Sequence, residues 1–214
     1  MEITTIGLDL AKSIFQVHGV DASGNVVVRK ALRRSQVLPF FTRAPRCLVG
    51  IEACGTSHHW ARELIALGHE VRLMPPAYVK PYVKRGKTDA ADAEAICEAV
   101  TRPTMRFVSV KSRNQQAALS MHRTRDLLVK QRTQVVNMMR GLLAEFGIAI
   151  PKGLERALMT ARQIVDGAAP DLPPEAVKII STLSRHASIL MSGCARSIAT
   201  WWCGNNPVMS RDGS

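Results

Sequence analysis

Long apolar runs are missing from this sequence. Nowhere does it reach the roughly 18 consecutive apolar residues that a membrane-spanning helix needs, so no transmembrane segment and no membrane partner are expected. The opening Met1-Glu2-Ile3-Thr4-Thr5 lacks the basic stretch and apolar block of a secretory leader, and the expected compartment is the cytoplasm. The five cysteines (Cys47, Cys54, Cys97, Cys194, Cys203) include no Cys-x-x-Cys pair and form no even framework, so they read as reduced thiols. The six histidines show no ligand spacing beyond the adjacent His58-His59. Consecutive residues do not share a helix face, so a zinc site there is not expected. Acid is also scarce: 17 Asp and Glu stand against 29 Lys and Arg, a net charge of +12.

What is present is a chain of 214 residues, 46% hydrophobic, enough to bury a core in one or two domains and to exclude wholesale disorder. The positive surplus points to a polyanionic partner, most often nucleic acid. It is unevenly placed. Residues 1–101 carry 13 basic and 10 acidic side chains, residues 102–162 carry 12 and 3, and residues 163–214 carry 4 of each. The plainer alternative is a solvated basic face.

The N-terminal half reads as an α/β domain. Ile3 to Leu10 and Ile14 to Val20 are β-branched runs. A turn at Asp21-Ala22-Ser23-Gly24-Asn25 leads into Val26-Val27-Val28, which suggests a three-stranded antiparallel meander. A short helix is expected within Ser35 to Phe41, and a buried strand at Cys47 to Ile51. Thr56 is placed to cap a helix running to Leu67, with Gly68 where a terminating glycine belongs. Glu70 to Met74 is a further strand, stopped by Pro75-Pro76, and Asp89 to Val100 is an alanine-rich helix. The order β-β-β-α-β-α-β-α is that of the ribonuclease H-like fold, an analogy of fold alone.

From Ser112 to Phe146 the chain reads as one proline-free helix of about 35 residues, about 50 Å long. Apolar residues recur at Met121, Leu128, Val135, Met138, Leu142 and Phe146, and Gly147 and Pro151 end the pattern. So long a helix suggests a coiled-coil arm or a bridge to another module. Arg113, Arg123, Arg125, Lys130, Arg132 and Arg140 lie along it and, with Lys84, Arg85 and Lys87, are the candidate nucleic-acid contacts. Beyond Pro151 a helical or irregular tail is expected, interrupted by Pro170, Pro173 and Pro174. The domain reading is thus 1–102, 103–150 and 151–214.

Four acids stand in apolar surroundings. Asp9 lies inside a strand, and Glu52 ends the run Leu48-Val49-Gly50-Ile51. A buried carboxylate costs several kcal/mol unless it is paired or bound to a metal. Asp89 and Asp92 are spaced i, i+3 on one helical face, among alanines small enough to bring that helix close to a sheet. Four hard oxygen donors from two strands and a helix suit one or two Mg²⁺ ions, the arrangement used in phosphodiester chemistry. Each acid taken alone is equally well a cap or a surface charge.

With these residues assembled, the sequence resembles the DEDD transposases of the insertion-sequence one-ten family. The matching strings are Gly7-Leu8-Asp9-Leu10-Ala11-Lys12, Gly50-Ile51-Glu52-Ala53-Cys54-Gly55 and Lys87-Thr88-Asp89-Ala90-Ala91-Asp92-Ala93. Pro75 to Lys84 and the long helix extend the likeness to about residues 3–150. The resemblance implies a RuvC-like, ribonuclease H-like α/β domain, a mixed sheet with flanking helices, followed by a helical coiled-coil arm. It implies that Asp9, Glu52, Asp89 and Asp92 are catalytic and bind Mg²⁺. It further implies DNA as partner, a structured guide (bridge) RNA, and homo-oligomers formed through the long helix. Family members carry a C-terminal domain with a nucleophilic serine. No such domain is recognised before Ser214, so a truncated copy that binds nucleic acid without completing recombination is the expectation. The alternatives are a Holliday-junction-type nuclease, which the same four acids and basic arm serve, and a non-catalytic nucleic-acid-binding fragment. A sugar kinase or actin-like ATPase is disfavoured, because no second glycine-rich phosphate loop follows Gly7-Leu8-Asp9.

Overall fold

The computed structural model describes residues 2–83, 89–169 and 171–205, with Asp89 and residues 194–205 described by their main chain only. The chain divides into two units, Met1–Ser112 and Arg113–Ser214.

The first unit is built on one mixed sheet. Strands β1 (Thr5–Asp9), β2 (Ile14–Val20) and β3 (Val26–Arg33) form an antiparallel meander. Strands β4 (Leu48–Glu52) and β5 (Glu70–Met74) add in parallel on the other side of β1, giving the order β3-β2-β1-β4-β5. The turn into β3 is closed by Asp21, whose carboxylate accepts from the Ser23 and Asn25 amides at 2.9 Å each. Strand β3 continues five residues past the apolar Val26-Val27-Val28. Its continuation holds exposed Arg29, Lys30 and Ala31, and an exposed edge strand carries no apolar alternation to mark it.

Helices cover both faces. On one side α1 (Val37–Arg43) and α2 (Ser57–Ala66) meet the apolar face of the sheet. That core contains Ile6, Leu8, Phe15, Val17, Val49, Ile51 and Leu73 with Phe41, Trp60 and Leu64, each of the larger side chains contributing about 1.5–3 kcal/mol by burial. Gly68, at φ +92°, ends α2 in the left-handed conformation that a β-carbon disfavours. Thr56 takes the N-cap position of α2 without a side-chain cap; Ser57 closes the turn instead, its hydroxyl accepting from the Cys54 amide and donating to the Cys54 carbonyl. On the opposite side lie the one-turn helix α3 (Pro76–Val79) and α4 (Asp89–Val100), with Met74, Val79, Ala95, Ile96, Ala99 and Val100 buried together.

The second unit consists of helices. The long α5 (Arg113–Ala144) pairs with α7 (Pro174–Asn205), and α6 (Leu154–Gln163) packs with both. Pro174 opens α7 rather than breaking it, since proline is compatible with the first helical turn. The stretch after Pro151 is therefore mainly helical, and its Ala157, Ala161, Ile164, Ile180 and Ala187 are buried. The buried stripe of α5 is Val136, Met139 and Leu143, one position along from the Val135, Met138, Leu142, Phe146 periodicity; Met138 and Phe146 are 55% and 46% exposed. Val135 and Leu142 are half-buried and pack against the same core, so the packing of α6 and α7 shifts the buried stripe by one position and leaves Met138 and Phe146 outside it. No described helix is long and apolar enough to cross a membrane.

Candidate functional site

Two of the acids end adjacent strands of the first unit, and a third lies on the helix that covers the same face of the sheet. In the parallel pairing of β1 with β4, Gly7 lies opposite Gly50 and Leu8 opposite Ile51, so Asp9 and Glu52 are level neighbours on adjacent strands. Side chains alternate along a strand, so both carboxylates share the face that carries Gly7 and Gly50. That is the face under α4. A β-carbon at Gly7 would overlap the Ala93 carbonyl oxygen and the Cys97 amide nitrogen, and one at Gly50 would lie 2.8 Å from the Val100 β-carbon.

Helix α4 runs against the direction of β1. Cys97 Sγ reaches the Thr5 carbonyl at 3.8 Å, and Ala93 lies over Gly7. One helical turn back from Ala93 brings the first turn of α4, Asp89 to Asp92, to the level of Asp9. Asp92 is half-buried on the flank it shares with Ile96, which packs towards Met74 at the end of β5. Burial raises the Glu52 carboxyl above its ordinary value, and the negative charge of Asp92 raises it further. Glu52 and Asp92 are therefore brought into electrostatic contact, and Asp9 stands beside Glu52 in the ladder. The Asp89 side chain lies outside the described residues, although its main chain begins α4. Among the described residues no three His, Cys, Asp or Glu side chains form a group that holds a metal ion. The donor chemistry nevertheless fits a hard divalent cation, which relieves repulsion between carboxylates held in a half-buried site.

The candidate nucleic-acid contacts fall into several groups. Lys84, Arg85 and Lys87 lie outside the described residues. Arg113, Arg123, Arg125 and Lys130 are exposed on α5, with Arg125 3.5 Å from Asp126, while Arg132 is half-buried. Arg140 donates to the Pro151 and Gly153 carbonyls at 3.2 and 3.1 Å and to Asn137 Oδ1 at 3.2 Å, fastening the end of α5 to the next loop.

Other polar groups lie outside the acid and basic sets. His58 is buried at the start of α2, its Nδ1 accepting from the Lys111 amide at 3.2 Å and its Nε2 3.0 Å from Lys111 Nζ. Burial, then the charges of Lys111 and Arg62, depress its basicity. His59 turns outward to Glu63, so the adjacent histidines serve separate contacts. Gln16, His18 and Arg29 lie on the acid-bearing face of β2 and β3. Their signal is strand register, which a single sequence does not display. Cys47 and Cys97 are buried with thiols pushed up to about 11, chiefly by burial, which makes them poor nucleophiles; Cys54 is exposed.

The profile of the IS110-type DEDD transposase domain matches residues 6–148, well over half the chain. A probable family 20 transposase of Pseudomonas aeruginosa is 51% identical over 197 residues, 92% of this chain and 58% of that protein. The transposase for insertion sequence element IS1328 of Yersinia enterocolitica is 40% identical, over 88% of this chain and 55% of its own length. The transposase for IS1111A of Coxiella burnetii is 37% identical, over 85% and 50%. The chain belongs to the IS110 family of transposases. It spans about half the length of these curated relatives.

Proposed function

We propose that this chain is the acid-bearing portion of an insertion-sequence transposase that cuts DNA with Mg²⁺ during transposition, and that its first unit is a RuvC-like, ribonuclease H-like domain. The observation that carries the reading is the placement of Asp9 and Glu52 as level neighbours at the ends of adjacent parallel strands, with Asp92 close enough to raise the Glu52 carboxyl. Asp89, one turn away on the same helix, completes the set.

In this reading Asp9 and Glu52 present two carboxylates from a rigid sheet, and Asp92 supplies a third from a helix seated on that sheet. Mg²⁺ held there would polarise a phosphodiester and stabilise the leaving oxygen. The glycines at 7 and 50 set the depth of α4, and so the distance from Asp92 to the strand-borne acids. The exposed Arg113, Arg123, Arg125 and Lys130, together with Arg132 and with Lys84, Arg85 and Lys87, contact phosphates of DNA or of a structured guide RNA. Helix α5 serves as a coiled-coil arm joining copies of the chain. The protein works in the cytoplasm.

Two measurements on residues 1–214 test this. Calorimetric titration with Mg²⁺ or Mn²⁺ should show binding that Asp9→Asn, Glu52→Gln and Asp92→Asn each weaken by about tenfold or more, as loss of a ligand carboxylate does. Metal-dependent nicking of DNA bearing the element's ends should fall with the same variants, while Lys178→Ala stays active. Metal binding that ignores all three acids would overturn the proposal. Cutting of four-way junctions in preference to element ends, with no RNA added, would favour a junction nuclease.

A further inference from the structure

Beside the acids, on the same face of the sheet, lies a cavity that the reading above does not use. Its floor is β2 and β3 and its wall is the first half of α4; Gln16, His18, Arg29, Ala31, Ala90 and Glu94 line it. At about 400 Å³ it falls within the range of small-ligand sites, about 300–1,000 Å³.

Its position follows from register. Asp9 lies opposite Gln16, and Gln16 opposite Ala31; one row back, Gly7 lies opposite His18 and His18 opposite Arg29. Directly opposed residues share a face, so Gln16, His18, Arg29 and Ala31 all stand on the side that carries Asp9 and lies under α4. Gln16 is a single strand spacing, about 5 Å, from Asp9. The same helix that brings Asp92 to the acids brings Ala90 to the cavity wall.

The chemistry of the lining is specific. Gln16 offers both a donor and an acceptor, as the edge of a base requires. Arg29 offers a guanidinium fork suited to a phosphate, and its side chain is 63% exposed at the rim. Glu94, the acid of the wall, sits 3.6 Å from that guanidinium, which offsets its charge. Ala31 and Ala90 are small, and both are exposed, leaving room for a planar group between sheet edge and helix.

We infer that this cavity is a nucleotide subsite: it holds one nucleotide of a DNA strand, with Gln16 on the base or sugar and Arg29 on its phosphate, so that the neighbouring phosphodiester lies at Asp9. The inference rests on the proposed DNA-cutting role, since the subsite gains its meaning from its distance to the acids. It assigns to the basic edge strand β3 a task in aligning the strand that is cut, separate from the phosphate contacts of α5.

The test is binding of a fluorescent single-stranded DNA oligonucleotide to residues 1–214 by anisotropy, in EDTA, across a salt series. Working without metal keeps a bound cation out of the readout, so that the binding measured is that of the protein's own side chains. Arg29→Ala should lower the slope of log affinity against log salt by about 0.7, the single-strand value for one lost phosphate contact. Ala31→Ile fills the cavity without altering charge, on an exposed strand position that favours β-branched residues. It should weaken binding roughly threefold or more with the slope unchanged. Arg43→Ala, which removes a charge from α1 on the other side of the sheet, should change affinity less than Arg29→Ala. Circular dichroism melting establishes that each variant is folded. Equal losses from Arg29→Ala and Arg43→Ala, with none from Ala31→Ile, would mean general electrostatic attraction and would overturn the subsite while leaving the metal-site reading intact. Normal subsite behaviour with no metal bound by the acids would overturn the cutting role instead.

Discussion

Gly7 of β1 lies directly beneath the main chain of Ala93 in α4, so close that a β-carbon at Gly7 would collide with the Ala93 carbonyl oxygen. This contact fixes how deeply α4 sits on the sheet, and Asp92 is the residue just before Ala93. The first of three predictions made from the fold follows from it. Gly7→Ala should destabilise the first unit by about 1–3 kcal/mol, because the obstacle is backbone and cannot rotate away. Urea denaturation followed by circular dichroism measures this. Metal affinity at the acids should fall as well, since α4 must lift. An alanine variant with unaltered stability would show that α4 is not seated by this contact.

Glu52 gives a dependence on pH. Its carboxyl is raised above the ordinary 4.5, mainly by burial and further by Asp92. The folded state therefore holds this proton more tightly than the unfolded chain. The associated stabilisation is fully present below about pH 4.5 and is lost as pH rises through the folded value. Above that window the ionised Glu52 opposes folding. Glu52→Gln should thus raise the unfolding midpoint at neutral pH in metal-free buffer, and the difference from the unaltered chain should vanish towards pH 4. A fixed Mg²⁺ concentration should stabilise the unaltered chain more than the variant. A glutamine variant less stable at neutral pH would contradict the electrostatic account.

Arg140 is a basic residue with a structural engagement in the second unit. Its guanidinium holds the Pro151 and Gly153 carbonyls, joining the last turns of α5 to the start of α6. Arg140→Ala should cost the helical unit about 1.5–3 kcal/mol, the range for a hydrogen bond to a charged group. Thermal melting of residues 1–214 reads the loss. Arg123→Ala, on the exposed part of α5, should leave the melting temperature unchanged and weaken nucleic-acid binding. Equal melting temperatures for the two variants would remove the clamp.

Much of the fold is legible in residue order. Strand β2 and strand β5 occupy Ile14–Val20 and Glu70–Met74, the spans that their apolar runs and flanking turns mark. Helix α4 occupies Asp89–Val100, and Gly68 ends α2 at the expected position. These features are local: a β-branched run, a proline stop or a positive φ is decided by neighbours in the chain. The three short acid-bearing strings are legible in the same way and carry the family assignment, which the profile over residues 6–148 bears out. The continuation of β3 through Arg33 is not legible, because an exposed edge strand leaves its residues free of the burial that creates a pattern.

By itself, then, the sequence determined the composition of the acid set, the basic bias of residues 102–162 and the alternation of strands and helices in the first unit. Tertiary structure decided what those residues stand next to. The parallel register of β1 and β4 made Asp9 and Glu52 neighbours across 43 positions of chain, and the glycines at 7 and 50 admitted the helix that carries Asp92. It also centred the buried stripe of α5 on Val136, Met139 and Leu143, with Val135 and Leu142 at its edge, and gave Arg140 to a loop. The physical reason is common to all of these. Periodicity is a property of a single element, whereas register, depth of packing and the choice between equivalent faces are set by the partner element, which one strand or helix does not encode alone.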